Sequence, residues 1–154
     1  MPQLWDLIRA GFNANRHNDR SLAPHLGPTP AATLERFRNS VSNTIAPTKD
    51  YAAFLGEVVV HGQDIARPLG IELEPAPGAV EEVARFFTTK DFAVNSRTLV
   101  KGLSIEAEDT GFRSGTGPAV RGTLLDLVTA MAGRPGAAAA LHGEGAEELR
   151  RRLA

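Results

Sequence analysis

The period of the apolar pattern changes once along this chain, and that change fixes the class of fold. Leu34, Phe37, Val41 and Ile45 recur at three- and four-residue spacing, as do Val80, Val83, Phe86 and Phe87, the mark of helices with one buried face. Near Asn95 the period drops to two. In L-V-K-G-L-S-I-E-A-E-D, residues Leu99, Leu103, Ile105 and Ala107 take one face and Ser104, Glu106 and Glu108 the other, as in a half-buried strand. The chain therefore reads as α+β, with a helical part over residues 1–92 and a small α/β part over 93–154.

Four helices are predicted before the change. Gln3 to about Asn15 places Leu4, Leu7, Ile8 and Phe12 on one face, and a second helix begins near Ala31 and stops at Pro47. The third runs from Asp50, a candidate N-cap, to near Pro68 and Gly70, residues that end helices. The fourth spans about Gly78 to Lys90. Beyond the strand, Asp109 to Gly111 signal a turn, so Phe112 onward is expected to pair back as a hairpin, with a further short strand at Ala119 to Val120. Thr123 with Asp126 at capping-box distance opens a helix that ends at Gly133, and a last helix covers about Ala146 to Leu153. Gly115 and Gly117 are not followed by Lys-Ser/Thr, so a phosphate loop is rejected.

Composition narrows the function classes. A formal charge of -1 gives no general attraction to nucleic acid or an anionic membrane, and Arg150, Arg151 and Arg152 sit in the last turn of a helix, where cations favour the dipole. Zero cysteines exclude disulfides, thiolate metal sites and a cysteine nucleophile, so any thiol chemistry needs a thiol from outside. No run has transmembrane length and no secretory signal opens the chain. A cytoplasmic location is the expectation.

The third helix carries the clue to chemistry. Glu57, His61 and Asp64 lie in the stretch G-E-V-V-V-H-G-Q-D, and at about 100° per residue they share a stripe roughly 60° wide. Apolar residues border that stripe on both sides: Tyr51, Phe54, Leu55, Val58 and Ile65 on one, Val59 and Val60 on the other. The helix is expected to be mostly buried, with the polar stripe inward. A buried carboxylate and imidazole need compensation, and a divalent metal held by Glu57 and His61 provides it, with Asp64 orienting the far imidazole nitrogen. A metal-free surface pair is the competing reading. The spacing is not H-E-x-x-H, which excludes the zincin protease pattern.

Catalytic zinc sites commonly use three protein ligands, and only two are found. His17, His25 and His142 lie in polar or glycine-flanked loops and are read as exposed, so a segment upstream is expected to be missing.

The run E-V-V-V-H-G-Q-D-I-A-R-P-L-G-I, then L-S-I-E-A-E-D-T-G-F-R-S-G-T-G-P-A-V-R-G, T-L-L-D-L-V-T-A-M-A-G-R-P and L-H-G-E-G-A-E-E-L, resembles the mycothiol-dependent maleylpyruvate isomerase family of actinobacteria. The resemblance implies a DinB-like metal-binding helical bundle, here N-terminally truncated, followed by a small α/β C-terminal domain. It implies Glu57 and His61 as metal ligands, and Asp64 as the acid that follows them. Arg134, after Gly133, matches a position implicated in activity. The family's first metal-binding His belongs to an upstream W-x-x-x-D-x-x-x-H-like segment that this sequence does not contain. The implied cofactors are a divalent metal, zinc first, and mycothiol. The implied chemistry is addition of the thiolate to a double bond, rotation and elimination, with Arg134 receiving a substrate carboxylate.

Two functions of different class follow. One is a metal-dependent, thiol-using isomerase or thiol S-transferase acting on a small molecule. The other is a non-catalytic, truncated remnant that binds a small molecule or a protein partner, with self-association through an exposed bundle face. Neither involves nucleic acid or membrane.

Overall fold

The computed structural model describes residues 19–43 and 50–154. Its contacts separate two units, Met1–Pro47 and Thr48–Ala154. In the first, helix α1 (Pro30–Asn39) is capped by Thr29, whose hydroxyl accepts from the Ala32 amide, and a 3-10 turn follows at Ser40–Ser42. Leu34, Phe37 and Val41 are exposed, and α1 buries no residue. The helix expected at Gln3 to Asn15, and Ile45 at the end of the second pattern, lie outside the described residues.

The second unit mixes helices with a small sheet: α2 (Tyr51–Ala66), α3 (Pro77–Thr89), α4 (Ser96–Leu99), β1 (Ser104–Ala107), β2 (Arg113–Ser114), β3 (Ala119–Gly122), α5 (Leu124–Met131), α6 (Pro135–Ala138) and α7 (Ala146–Leu153). The α+β reading thus stands at the level of mixed helix and sheet. Strand order is β2-β1-β3, with β1 antiparallel to β2 and parallel to β3. Helix α2 packs on α3, and α3 packs on α5, which also backs the sheet.

One apolar core joins Val59 and Val60 of α2, Val83 and Phe87 of α3, Ile105 and Val120 of the sheet, and Leu127 and Val128 of α5. It includes residues on both sides of positions 92–93, where the sequence pattern divides the chain. Helix α3 can bury Val83 and Ala84 completely because α2 and α5 flank it on either side, so it belongs to both halves of the pattern.

Local rules explain several boundaries. Pro77 opens α3, where its missing N–H costs nothing. Thr123 caps α5 by accepting from the Asp126 amide at 3.1 Å, and its hydroxyl donates to the Asp126 carboxylate at 2.8 Å, as the capping pattern predicts. Gly70, with φ of 64°, ends the turn after α2, and the Ile71 amide returns to the Ala66 carbonyl. Asp50 precedes α2, but its side chain makes no capping bond; Oδ2 receives Lys90 Nζ at 2.6 Å instead.

The strand is shorter than its alternation suggests. Leu99 closes α4, because Asp91 accepts from the amide and hydroxyl of Thr98 and winds this segment into a helical turn. The glycines at 115 and 117 are structural: both have positive φ, and an added Cβ would collide with the carbonyl oxygens of Leu103 and Gly102 respectively. No helix among the described residues is long and apolar enough to cross a membrane.

Candidate functional site

Helix α2 meets α3 through a face of small and branched residues, Ala53, Gly56, Val59, Val60, Gln63 and Ala66, all buried. Gly56 sets this orientation. A Cβ there would lie 3.3 Å from Phe87 Cζ, so glycine lets the ring seat directly against the helix. The buried Gln63 completes the seating: its Nε2 donates to the Leu73 carbonyl, its Oε1 accepts from Arg67 Nε, and Arg67 Nη2 reaches Asp126 Oδ1 at 2.7 Å. This network fastens α2 to the start of α5.

The consequence corrects an expectation drawn from the pattern. The Glu57/His61/Asp64 stripe does not point inward; the side chains of Glu57, His61 and Asp64 are 55%, 60% and 33% exposed. Tyr51, Val58 and Ile65, expected to be buried, are exposed as well. The helix is apolar on both flanks, and the flank with small residues wins because Phe87 needs the room. Burial therefore does not itself demand a metal.

What the structure does bring together is all four residues singled out in the sequence. His61 Nε2 lies 3.1 Å from Glu57 Oε2, and His61 Nδ1 lies 3.0 Å from Asp64 Oδ2. Arg134, in the turn after α5, grips Asp64 with both arms of its fork, Nε to Oδ1 at 3.1 Å and Nη2 to Oδ2 at 2.7 Å. Its remaining nitrogen, Nη1, donates to the Ala132 carbonyl at 2.6 Å. The hydrogen bond from Arg134 holds the Asp64 carboxyl below its usual 3.8; burial opposes this, and the bond from His61 adds to it. The same bond to Asp64 raises Arg134 above its ordinary value. Asp64 is an anchor between the imidazole and the guanidinium.

Glu57, His61 and Arg134 line a cleft of about 280 Å³. Its walls are Gly56 and Val60 of α2, Phe86 and Phe87 of α3, Phe92 to Val94 of the loop that follows, and Ala132. The rings of Phe86 and Phe92 meet edge to face, 6.1 Å apart. The apolar pattern marks Phe86 and Phe87 only as buried core residues and does not single out Phe92. The signal was the proximity of Phe92 to the α3 aromatic pair; what hid it was that Phe92 lies beyond the helix.

Within the second unit, His142 does not join this site. His142 pairs with Glu108 at 3.0 Å, next to β3, which it meets through an isolated bridge to Arg121. His25 belongs to the first unit, and His17 lies outside the described residues. Among those residues, no group of three or more His, Asp or Glu is disposed to hold a metal ion. Comparison with known proteins finds no matching protein family, no matching curated protein and no matching solved structure.

Proposed function

We propose that the chain is a divalent-metal-binding enzyme that uses a low-molecular-weight thiol, an isomerase or thiol S-transferase of the kind its resemblance to the mycothiol-dependent maleylpyruvate isomerase family implies, with a partial DinB-like bundle supplying the site. The observation that carries this reading is the position of His61 between two carboxylates, 3.0 Å from one and 3.1 Å from the other. A neutral imidazole has one N–H and can satisfy only one of them. With Nδ1–H donated to Asp64, the lone pair of Nε2 faces the Glu57 oxygen, an arrangement that needs a cation shared by the two: a proton or a metal ion.

The donor set fits a metal. Two ligands about 2.0–2.1 Å from a tetrahedral zinc ion stand roughly 3.3 Å apart, and the 3.1 Å between His61 Nε2 and Glu57 Oε2 is close to that. Imidazole and carboxylate suit zinc and its neighbours. Asp64 fills the outer-shell role that metal-binding histidines require, fixing the tautomer through Nδ1, and Arg134 immobilises Asp64 in turn. The remaining coordination positions belong to the thiol, water or a donor outside the described residues. When bound, the metal supplies the Lewis acidity that keeps a thiol ionised near neutral pH. The chain's own residues orient the imidazole, and Phe86, Phe87 and Phe92 line the cleft beside it.

The fork of Arg134 is already committed to Asp64, so its role is to position that acid; the expected binding of a substrate carboxylate by Arg134 is not part of this proposal. The second reading, a non-catalytic binding module, is favoured by the exposed Tyr51, Val58 and Ile65 on the outer side of α2.

Elemental analysis of the purified chain separates the two. Near-stoichiometric metal that disappears in His61→Ala, with affinity lowered about 10–100-fold in Asp64→Asn, is the expected result. Stoichiometric metal retained by His61→Ala, or none in the parent chain after zinc loading, would sink the enzyme reading.

A further inference from the structure

A second cleft, of about 470 Å³, is formed by the end of α3, by α4 with the turn after it, and by the paired strands β1 and β2. It shares no lining residue with the cleft beside His61. Its apolar lining is Val100, Leu103 and Ile105, all of them core residues. Its charge comes from Arg97 and Lys101, and no Asp or Glu lines it. The alternation of β1 accounts for that absence. Ile105 and its cross-strand partner Ser114 take one face of the ribbon, and Glu106 with its partner Arg113 takes the other. There Glu106 is ion-paired with Arg113 and Arg121.

Lys101 differs from the other cations of its unit. Each of the other described Arg and Lys side chains from Tyr51 onward is ion-paired with an Asp or Glu, and Lys101 is not. The partner of Arg97 is itself engaged elsewhere. Arg97 Nη2 lies 3.5 Å from Asp91 Oδ2, while the Thr98 amide donates to Asp91 Oδ1 at 3.0 Å and the Thr98 hydroxyl to Oδ2 at 2.7 Å. A guanidinium has five N–H groups, so donors remain on Arg97 for a further acceptor. The two cations stand four positions apart, on α4 and the turn that continues it, where like charges repel. Gly102 and Gly115, both with positive φ, add backbone without a Cβ to the lining. Neither amide donates to a backbone carbonyl among the described residues.

We infer that this second cleft binds a phosphate monoester that carries a small apolar body. A phosphate group has three strong acceptor oxygens, enough to serve an ammonium, a guanidinium and backbone amides together, and its charge offsets the repulsion between the two cations. The apolar body lies against Val100, Leu103 and Ile105. The inference does not depend on the Glu57/His61 reading; it gives the chain another ligand site.

The test is an NMR titration of the full chain, labelled with nitrogen-15 and without added metal, using phenyl phosphate and inorganic phosphate as probes. Phenyl phosphate is expected to shift the Gly102 and Gly115 amide signals to saturation and to leave that of Gly56, in the cleft beside His61, in place. Half-saturation is expected at about tenfold lower concentration than for inorganic phosphate, the scale set by burying part of a ring. Lys101→Met and Arg97→Gln alter exposed side chains, so the fold is retained; each is expected to weaken phenyl phosphate about tenfold. Arg151→Gln removes the same charge at an exposed position paired with Glu148 and is expected to leave the affinity unchanged.

Shifts at Gly56 in place of Gly102 and Gly115, equal half-saturation by the two probes, or phenyl phosphate affinity unchanged in both Lys101→Met and Arg97→Gln would overturn the inference. So would an equal loss of affinity in Arg151→Gln, which would mark a response to net charge alone. The absence of a saturable shift up to about 10 mM phenyl phosphate would overturn it as well.

Discussion

Glu106 shows how much one carboxylate can be asked to do in a small sheet. It sits on the polar face of β1, where Oε1 accepts from Ser104 Oγ at 3.1 Å and Oε2 receives Arg121 Nε at 3.0 Å and Arg113 Nη1 at 3.3 Å. The bond from Ser104 is the chief reason its carboxyl lies below the ordinary 4.5; desolvation opposes the shift, and Arg121 and Arg113 reinforce it. A depressed value in the folded state means that ionised Glu106 favours folding. That contribution is complete above pH 4.5 and is lost as pH falls through the folded-state value. In Glu106→Gln the gap in melting temperature from the parent should stay constant from neutral pH down to the ordinary carboxylate range and then narrow. A gap that widens on acidification would show that Glu106 is not held in its charged form by these partners.

At the scale of elements, the facing of α2 is the decisive choice, and two adjacent valines report it. Val59 is 3% exposed in the core, and Val58, about 100° round the helix, is 73% exposed. Val59→Ala should cost about 1–3 kcal/mol of stability by leaving a cavity against the core, while Val58→Ala should stay within about 0.5 kcal/mol of the parent. Equal losses in a denaturant titration would mean that α2 is packed on both faces. The sequence carries the existence of this helix, its Gly70 ending, the Thr123 cap and the 109–111 turn, because each depends on a few neighbouring residues. It does not carry the facing, because valines and aromatic residues ring the helix, and steric room at Gly56 for a ring 31 positions away decides the matter. The same limit applies to the site. Glu57, His61 and Asp64 are legible from their spacing on one helix, and Arg134 from a resemblance. That Arg134 closes on Asp64 across 70 positions follows from how α2 and α5 are held together by Gln63, Arg67 and Asp126. The parallel pairing of β3 with β1 is likewise a product of tertiary packing, since alternation marks strands and not their partners.

At the scale of the molecule, the buried core of the described residues belongs to one of the two units. Every buried apolar side chain among the described residues lies between Ala53 and Leu149, and none lies in residues 19–43. The closing helix is secured within the same unit. Arg150 reaches the Ala138 and Leu141 carbonyls, Arg152 reaches those of Leu99 and Lys101, and Arg151 pairs with Glu148. Arg150 and Arg152, expected to act only on the helix dipole, thus tie α7 to the segments around it, while the Arg151 pair stays within the helix. A unit with a continuous core, its own caps and its own polar ties has what autonomous folding requires. A chain begun at Thr48 should therefore unfold in one cooperative transition, with a midpoint within about 5 °C of the full chain's, a margin of roughly 1 kcal/mol at this size. Because Glu57, His61, Asp64 and Arg134 all fall inside it, the shortened chain should also preserve the hydrogen bond between His61 and Asp64, visible as an unchanged imidazole spectrum by NMR. Loss of cooperativity would show that residues before Thr48 complete the core. A cooperative fold with an altered His61 signal would show that they touch the site while leaving the core self-sufficient.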